Sequence, residues 1–330
     1  MNLIITRAGI HDTIQDKGRL GFRHLGINAG GVMDKAAAAM TNSLVGNDFD
    51  EAVIEMHFPA SEFLFTQPAL IAIGGADFSA TINGKSVPNL HPVLVNSQSV
   101  LQFKQSISGA RAYLAVWGGF NVSKWLNSYS TNLQVAAGGY NGRRLLSNDR
   151  LSCNSIEHTG EILAQNDFSV LPWFASNADE YVYNEPMLVL PGNEWGHLSA
   201  SSQNIFAEQP FIISRQADKM GYQLQGESLT AENKSELLST AVSFGTMQLL
   251  PNGQLILLMA DHQSTGGYPR IAHVISAHHS RLAQMKPGES IRFQFTELQI
   301  AETLFFKQQQ DLQQLQNACK LKLEEFFNLK

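Results

Sequence analysis

Three segments concentrate side chains that could do chemistry. The first runs from Gln15 to Asp34, where Arg19, Arg23 and His24 alternate with five glycines directly before a predicted helix. Glycines let backbone amides approach a ligand, and a helix N-terminus favours negative charge. Arginine and histidine would add charged donors for a carboxylate or phosphate. The same segment also reads as a structural loop closed by an ion pair between Asp16 and Arg19. The second segment, Ala260 to Ala272, follows an apolar strand and places Asp261, His262, Gln263, Ser264 and Thr265 before Gly266, Gly267 and Tyr268. An acid, an imidazole, an amide and two hydroxyls offer many ways to hold a small polar molecule on a loop. The alternative is a turn bonded to itself. The third, Ser214 to Leu224, sets Asp218 beside Lys219, a base next to an electrophilic cation. Adjacent opposite charges are also common on solvated turns.

Other motifs lead elsewhere. Gly84-Lys85-Ser86 resembles the end of a nucleotide-binding P-loop, but Ser79 stands where its first glycine belongs. Asn83-Gly84 instead predicts a hairpin tip between Ala80-Thr81-Ile82 and Lys85-Ser86-Val87. The ten histidines form no His-Glu-x-x-His pattern, and no metal site is expected. No Gly-x-Ser-x-Gly elbow points to a hydrolase of that type.

The elements that must position these segments are mostly short strands. Candidates include 62–65, 69–73, 100–103, 112–117, 187–190, 211–213 and 255–259, with glycine-rich turns between them. This pattern predicts a mainly β fold of barrels or sandwiches rather than a doubly wound α/β sheet. Helices are expected near 35–45, capped by Asp34 and followed by Gly46, and from about Leu298 to Phe327. In the second, Ile300, Leu304, Leu312, Leu315, Leu323 and Phe326 recur near helical spacing, and the stripe is expected to pack on its own domain.

The 330 residues suggest about two domains. A polar linker candidate at Ser176–Glu180 puts the boundary near 185, giving lobes 1–185 and 186–330. Charged residues make up 16% of the chain and the net charge is −6, which speaks against a nucleic-acid partner. Cys153 and Cys319 suit neither a disulfide framework nor a cysteine-rich zinc site. The N-terminus does not read as a signal peptide, and no apolar run is long enough to span a membrane. The expected location is the cytoplasm.

Read together, the three segments resemble a known family. Gln15 to Asp34 matches Gln-Asp-x-Gly-Arg-x-Gly-x-Arg-His-Leu-Gly-Ile followed by Met-Asp. Asp218 to Leu224 matches Asp-Arg/Lys-Met-Gly-Tyr-x-Leu, and Asp261 to Pro269 matches Asp-x-Gln-Thr/Ser-Thr-Gly-Gly-Tyr-Pro. Gly75-Ala76-Asp77-Phe78, Arg111 to Phe120 and Ser128 to Thr131 support them. The chain thus resembles the allophanate hydrolase subunit 2 family, also called the biotin-dependent carboxyltransferase-like or Kip-inhibitor-antagonist family, and within it the 5-oxoprolinase branch. Asn28 stands where that family usually has proline, and His262 where arginine is frequent.

The resemblance implies two cyclophilin-like β-barrel lobes and one member of a heteromeric, ATP-dependent enzyme. That enzyme would open 5-oxo-L-proline to L-glutamate with the family's A and B subunits. ATP would be used by the complex, since this chain has no P-loop. On residue type and family match, Asp218, Lys219 and Asp261 are the candidate catalytic groups. Arg19, Arg23, His24, Asp34, Gln263, Thr265, Gly266, Gly267 and Tyr268 are the candidate substrate-binding residues. Two other readings follow from the same resemblance. One is the carboxyltransferase half of a biotin-dependent urea carboxylase system; Met285-Lys286-Pro287 lacks the second methionine of a carrier motif, so biotin would arrive on another protein. The other is a non-enzymatic antagonist of a sensor-kinase inhibitor.

Overall fold

The computed structural model describes residues 2–154, 163, 166–176, 185–232 and 237–327. The chain forms two compact units that are discontinuous in sequence: 1–18 with 34–177 and 309–330, and 19–33 with 178–308.

The first unit is built from two six-stranded antiparallel sheets around one core. One sheet runs in the order Arg150–Ser152, Asn2–Arg7, Glu62–Phe65, Val100–Phe103, Ala80–Ile82, Lys85–Ser86. The other runs Phe168–Val170, Pro92–Val95, Ala69–Asp77, Ser108–Val116, Val53–Met56, Thr13–Gln15. Alternation selects the inward face: in Glu62–Phe65 and Val100–Phe103 every second residue is buried. Leu3, Ile5, Phe63, Phe65 and Leu101 from one sheet meet Ile71, Ile73, Leu114 and Val116 from the other.

The two central strands, Ala69–Asp77 and Ser108–Val116, are buried on both faces over most of their length. The helix Lys35–Leu44 covers the second face. Asp34 caps it by accepting from the Ala37 N–H at 2.9 Å, as its sequence indicates. Gly74 admits the helix: a Cβ there would lie 2.1 Å from Thr41 Oγ1. The Asn83-Gly84 tip, both residues with positive φ, joins Ala80–Ile82 to Lys85–Ser86 in the hairpin its sequence predicts. Gly84-Lys85-Ser86 therefore opens no helix, and Lys85 pairs with Asp167 at 2.8 Å.

The second unit holds an eight-stranded sheet, ordered Ser290–Ile291, Phe211–Ile213, Gly221–Gln225, Leu255–Leu258, Thr246–Leu249, Arg270–Val274, Met187–Pro191, Phe293–Phe295. Its pairs are antiparallel except Met187–Pro191 with Phe293–Phe295. Phe206, Phe211 and Phe293 fill the core, with Phe206 stacked on Phe293 at 5.2 Å. Phe206 comes from a helix, Ala200–Glu208, outside the two expected helical regions; Ser199 caps it by accepting from the Ser202 N–H at 3.3 Å. Both units are thus mainly β and barrel-like, with few helices.

A single cut near residue 185 does not reproduce this division, because two excursions cross it. Residues 19–33 belong to the second unit, where Met33 is buried in its core. The terminal helix spans Leu298–Phe327, but from Gln309 it belongs to the first unit. There Leu312 packs on Ala36, Ala39 and Met40, and Gln316 donates to the Asn47 carbonyl at 3.1 Å. Its stripe therefore does not pack wholly on the C-terminal lobe, and Ile300 stays half exposed. Of the linker candidate, 177–180 lie outside the described residues. Among the described residues no helix is long and apolar enough to cross a membrane.

Candidate functional site

The three motif segments meet within the second unit. The loop 19–33 is closed by the Arg19 N–H donating to the Ala29 carbonyl at 2.7 Å. A short 3-10 turn, Arg23–Leu25, follows, ending at Gly26 in the left-handed region. From this turn Arg23 Nη2 donates to the carbonyl of Ser264 at 3.1 Å and also to that of Val242. Asn28 Nδ2 donates to the carbonyl of Asp261 at 3.1 Å. The loop is thus tied to both ends of the Asp261–Ser264 stretch. Asp261 in turn donates its N–H to the Lys219 carbonyl at 2.8 Å, and Met259 donates to that of Met220 at 2.9 Å. These bonds bring residues separated by some 200 positions in sequence into one cluster.

Gly30 lies between Arg19 and Asp261. It has φ +61°, and a Cβ there would lie 2.6 Å from Arg19 Nη2 and 3.2 Å from Asp261 Oδ1. A guanidinium and a carboxylate therefore flank a backbone that only glycine allows so close. Arg19 is fully buried, whereas Asp261 is partly accessible. The reachable Asp261 carboxylate can orient a water or accept a proton there, and the buried Arg19 sets its surroundings.

The other predicted residues fall into distinct roles. Asp218 is exposed, and its Oδ1 accepts from the N–H groups of Met220 at 2.8 Å and Gly221 at 3.1 Å, so the carboxylate shapes its own turn. Lys219 is half buried and His24 exposed. Gln263 donates to Gln248 Oε1 at 3.4 Å. Thr265–Gly266 pair with Thr240–Ala241 in a two-stranded ribbon, next to Gly267 and the exposed Tyr268. Asp34 stands apart: it lies in the first unit, fully buried as the helix cap, with its N–H donating to Tyr113 Oη at 2.9 Å. Arg23 is engaged with two carbonyls, which makes it a strap between loops.

Asp16 holds the start of the first segment within the first unit. Its Oδ1 accepts from Ser128 and Ser130 hydroxyls, both at 2.6 Å, and from the Gly18 N–H at 2.8 Å. Its Oδ2 accepts from the Tyr129 N–H at 2.7 Å. These four donors explain why Ser128-Tyr129-Ser130 accompanies the Gln15-Asp16 motif.

Two residues of the cluster escaped the sequence reading as site members. Gln248 is fully buried; it receives Gln263 and reaches the Tyr268 carbonyl at 3.4 Å. Gly266 accommodates it, since a Cβ there would lie 2.5 Å from Gln248 Nε2. Its signal was an amide between two apolar residues, Met247 and Leu249, of the strand Thr246–Leu249. Asn28 had a signal too, as a departure from the family pattern, and its amide supplies a donor that proline lacks.

The chain matches the family described as carboxyltransferase domain, subdomain A and B, over residues 25–295. It is 35% identical to the C subunit of 5-oxoprolinase from Escherichia coli over 291 residues, covering 88% of this chain and 90% of that protein. It is 33% identical to the corresponding 5-oxoprolinase protein of Haemophilus influenzae, covering 92% and 94%. Among solved structures, the urea amidolyase of K. lactis superposes with a TM-score of 0.84 at 24% identity. That match covers 95% of this chain and 20% of the larger protein, and it shows a shared fold.

Proposed function

Because the chain belongs to the carboxyltransferase domain, subdomain A and B family, we propose that it is the C subunit of a 5-oxoprolinase. In that role it works with the A and B subunits to open 5-oxo-L-proline to L-glutamate at the expense of ATP. The observation that carries the site assignment is the meeting of the three motif segments at Asp261.

The chemistry sets the requirements. A lactam carbonyl is a poor electrophile because its amide is resonance-stabilised. Transfer of the γ-phosphoryl group of ATP to the carbonyl oxygen makes the carbon electrophilic, and water then adds. Collapse breaks the ring C–N bond, with the nitrogen leaving as a protonated amine, and gives an acyl phosphate, which a second water hydrolyses to the carboxylate and inorganic phosphate. Cationic donors must face the phosphoryl group and the developing oxyanion. Lys219, half buried and with its carbonyl accepting from the Asp261 N–H, is the group of this chain suited to that task. Asp261 or Asp218 would take the proton of the attacking water. Gly84-Lys85-Ser86 forms a hairpin tip rather than a phosphate cradle, so no P-loop of this chain takes part.

The test is co-expression with the two other subunits and assay of glutamate release from 5-oxoproline with ATP. Activity of the complex that vanishes when this chain is left out supports the reading. Full activity without it refutes the reading.

A further inference from the structure

A cleft of about 260 Å³, apart from the cluster at Asp261, lies in the second unit. It is walled by Phe244 and Val274 on one side and by Leu298, Ala301 and Phe305 of the terminal helix on the other. The helix residues fall at positions i, i+3 and i+7, a single face. Ser243, Ser276, His273, His279 and Glu302 supply its polar groups. None of the three motif segments lines it.

The polar groups are organised by Thr246, which is fully buried. Its hydroxyl accepts from the Ser243 N–H at 3.2 Å, and lies 3.1 Å from Ser243 Oγ and 3.1 Å from His273 Nδ1. A hydroxyl has one proton and two acceptor sites. With one acceptor site taken, Thr246 must donate to one of these neighbours and accept from the other. If it donates to His273, then His273 carries its proton on Nε2 and the Ser243 oxygen is left as an acceptor. If it donates to Ser243, then His273 Nε2 is the acceptor and the Ser243 proton is free. In either arrangement the pair offers one donor and one acceptor. Burial, and after it the charge of Arg270, holds the His273 imidazole below its ordinary pKa, so it is neutral at pH 7.

Charge then decides what fits. Glu302 is exposed and anionic, and among the described residues neither lysine nor arginine lines the cleft. We propose that this cleft binds a small organic cation, a primary ammonium on a short apolar stem. The ammonium would be held by Glu302 and the acceptor of the Ser243–His273 pair, and the stem by Phe244, Leu298 and Phe305. A volume below the ~300–1,000 Å³ of drug-sized pockets suits a ligand of this size.

The test is calorimetric titration of the full chain with 3-methylbutylamine, alongside the uncharged 3-methylbutan-1-ol and the anion 4-methylpentanoate. The amine should bind with a Kd of about 1 mM, and the alcohol and the acid about fivefold or more weakly, the discrimination expected from one partly solvated ion pair. Glu302→Gln, an exposed change that should leave the melting temperature unaltered, should bring amine and alcohol to equal affinity. Phe305→Ala should weaken both. The proposal is overturned if the amine does not bind, if alcohol or acid binds as well as the amine, or if Glu302→Gln leaves the preference intact.

Discussion

The side-chain amide of Asn28 donates to the backbone carbonyl of Asp261 at 3.1 Å, and the N–H of the same Asp261 donates to the carbonyl of Lys219 at 2.8 Å. One peptide neighbourhood is therefore held from two sides, by a loop near the N-terminus and by a turn near residue 219. Substituting Asn28 by Asp leaves the side chain nearly isosteric but replaces the donor with an anion facing a carbonyl. This change should cost about 1–3 kcal/mol of stability. In the assembled complex it should lower turnover at least about tenfold, by freeing Asp261 from its position. Asn28→Gln, which keeps a donor on a longer arm, should recover part of the activity. Urea unfolding and glutamate release measure the two effects separately.

Gly30 gives a sharper test of how Arg19 and Asp261 are held on its two sides. Alanine there meets two penalties, a positive φ of 61° and a Cβ 2.6 Å from Arg19 Nη2. The first costs about 1 kcal/mol. The second displaces the buried guanidinium from the flank of Asp261. The expected outcome for Gly30→Ala is a folded chain, by circular dichroism, with turnover reduced about a hundredfold. Gly26→Ala is the control. It has φ +77° but open space at the Cβ, so it bears the backbone cost alone and should keep most of its activity.

The contrast between these glycines shows what the sequence could and could not convey. Local features were legible. Asp34 before four alanines marks a helix start, and Asn83-Gly84 marks a hairpin, because the information lies within four residues. The long motifs marked the three site segments by composition. Their convergence depends instead on hydrogen bonds from side chains to distant carbonyls, such as Arg23 to Ser264, and carbonyls have no signature in a sequence. Asp34 was misleading for the same reason that it was legible. A cap and a ligand for substrate draw on the same residue type, and full burial assigns it to the cap. The passage of 19–33 into the second unit was hidden because its anchor, Met33, looks like any apolar residue before a helix.

Asp12 should impose a pH dependence of its own. It accepts from the His57 N–H at 3.1 Å and the Ser61 N–H at 2.7 Å, but burial dominates and raises its pKa from 3.8 to about 6. The folded state thus binds this proton more tightly than the unfolded state. Its contribution is fully present below about pH 4 and is lost as pH rises through about 6, a change of about 3 kcal/mol. Glu194 works in the opposite sense: Arg270 beside it lowers its pKa, so its contribution is present above the ordinary carboxylate range and is lost on acidification. The Asp12 effect is therefore read as a difference. The stability of the wild type minus that of Asp12→Asn should decrease steadily between pH 4 and pH 7 in urea titrations, whatever the common background does.

Asp218 allows its two roles to be separated by one atom. Its Oδ1 accepts from the Met220 N–H at 2.8 Å and the Gly221 N–H at 3.1 Å, which fixes the turn before Gly221–Gln225. Asparagine keeps that oxygen and both hydrogen bonds, so Asp218→Asn should melt within about 1 °C of the wild type, as befits an exposed site whose contacts survive. It removes the charge and the basicity. If Asp218 takes the proton of the attacking water, turnover in the complex should fall by about 10²–10⁴, with KM changed far less. Asp218→Ala removes the turn bonds as well, so it should lose about 1–2 kcal/mol of stability in addition to activity. Asp218→Asn at full turnover would confine Asp218 to shaping its turn and leave Asp261 as the base. In that case Asp261→Asn, whose backbone N–H still reaches the Lys219 carbonyl, should show the loss instead.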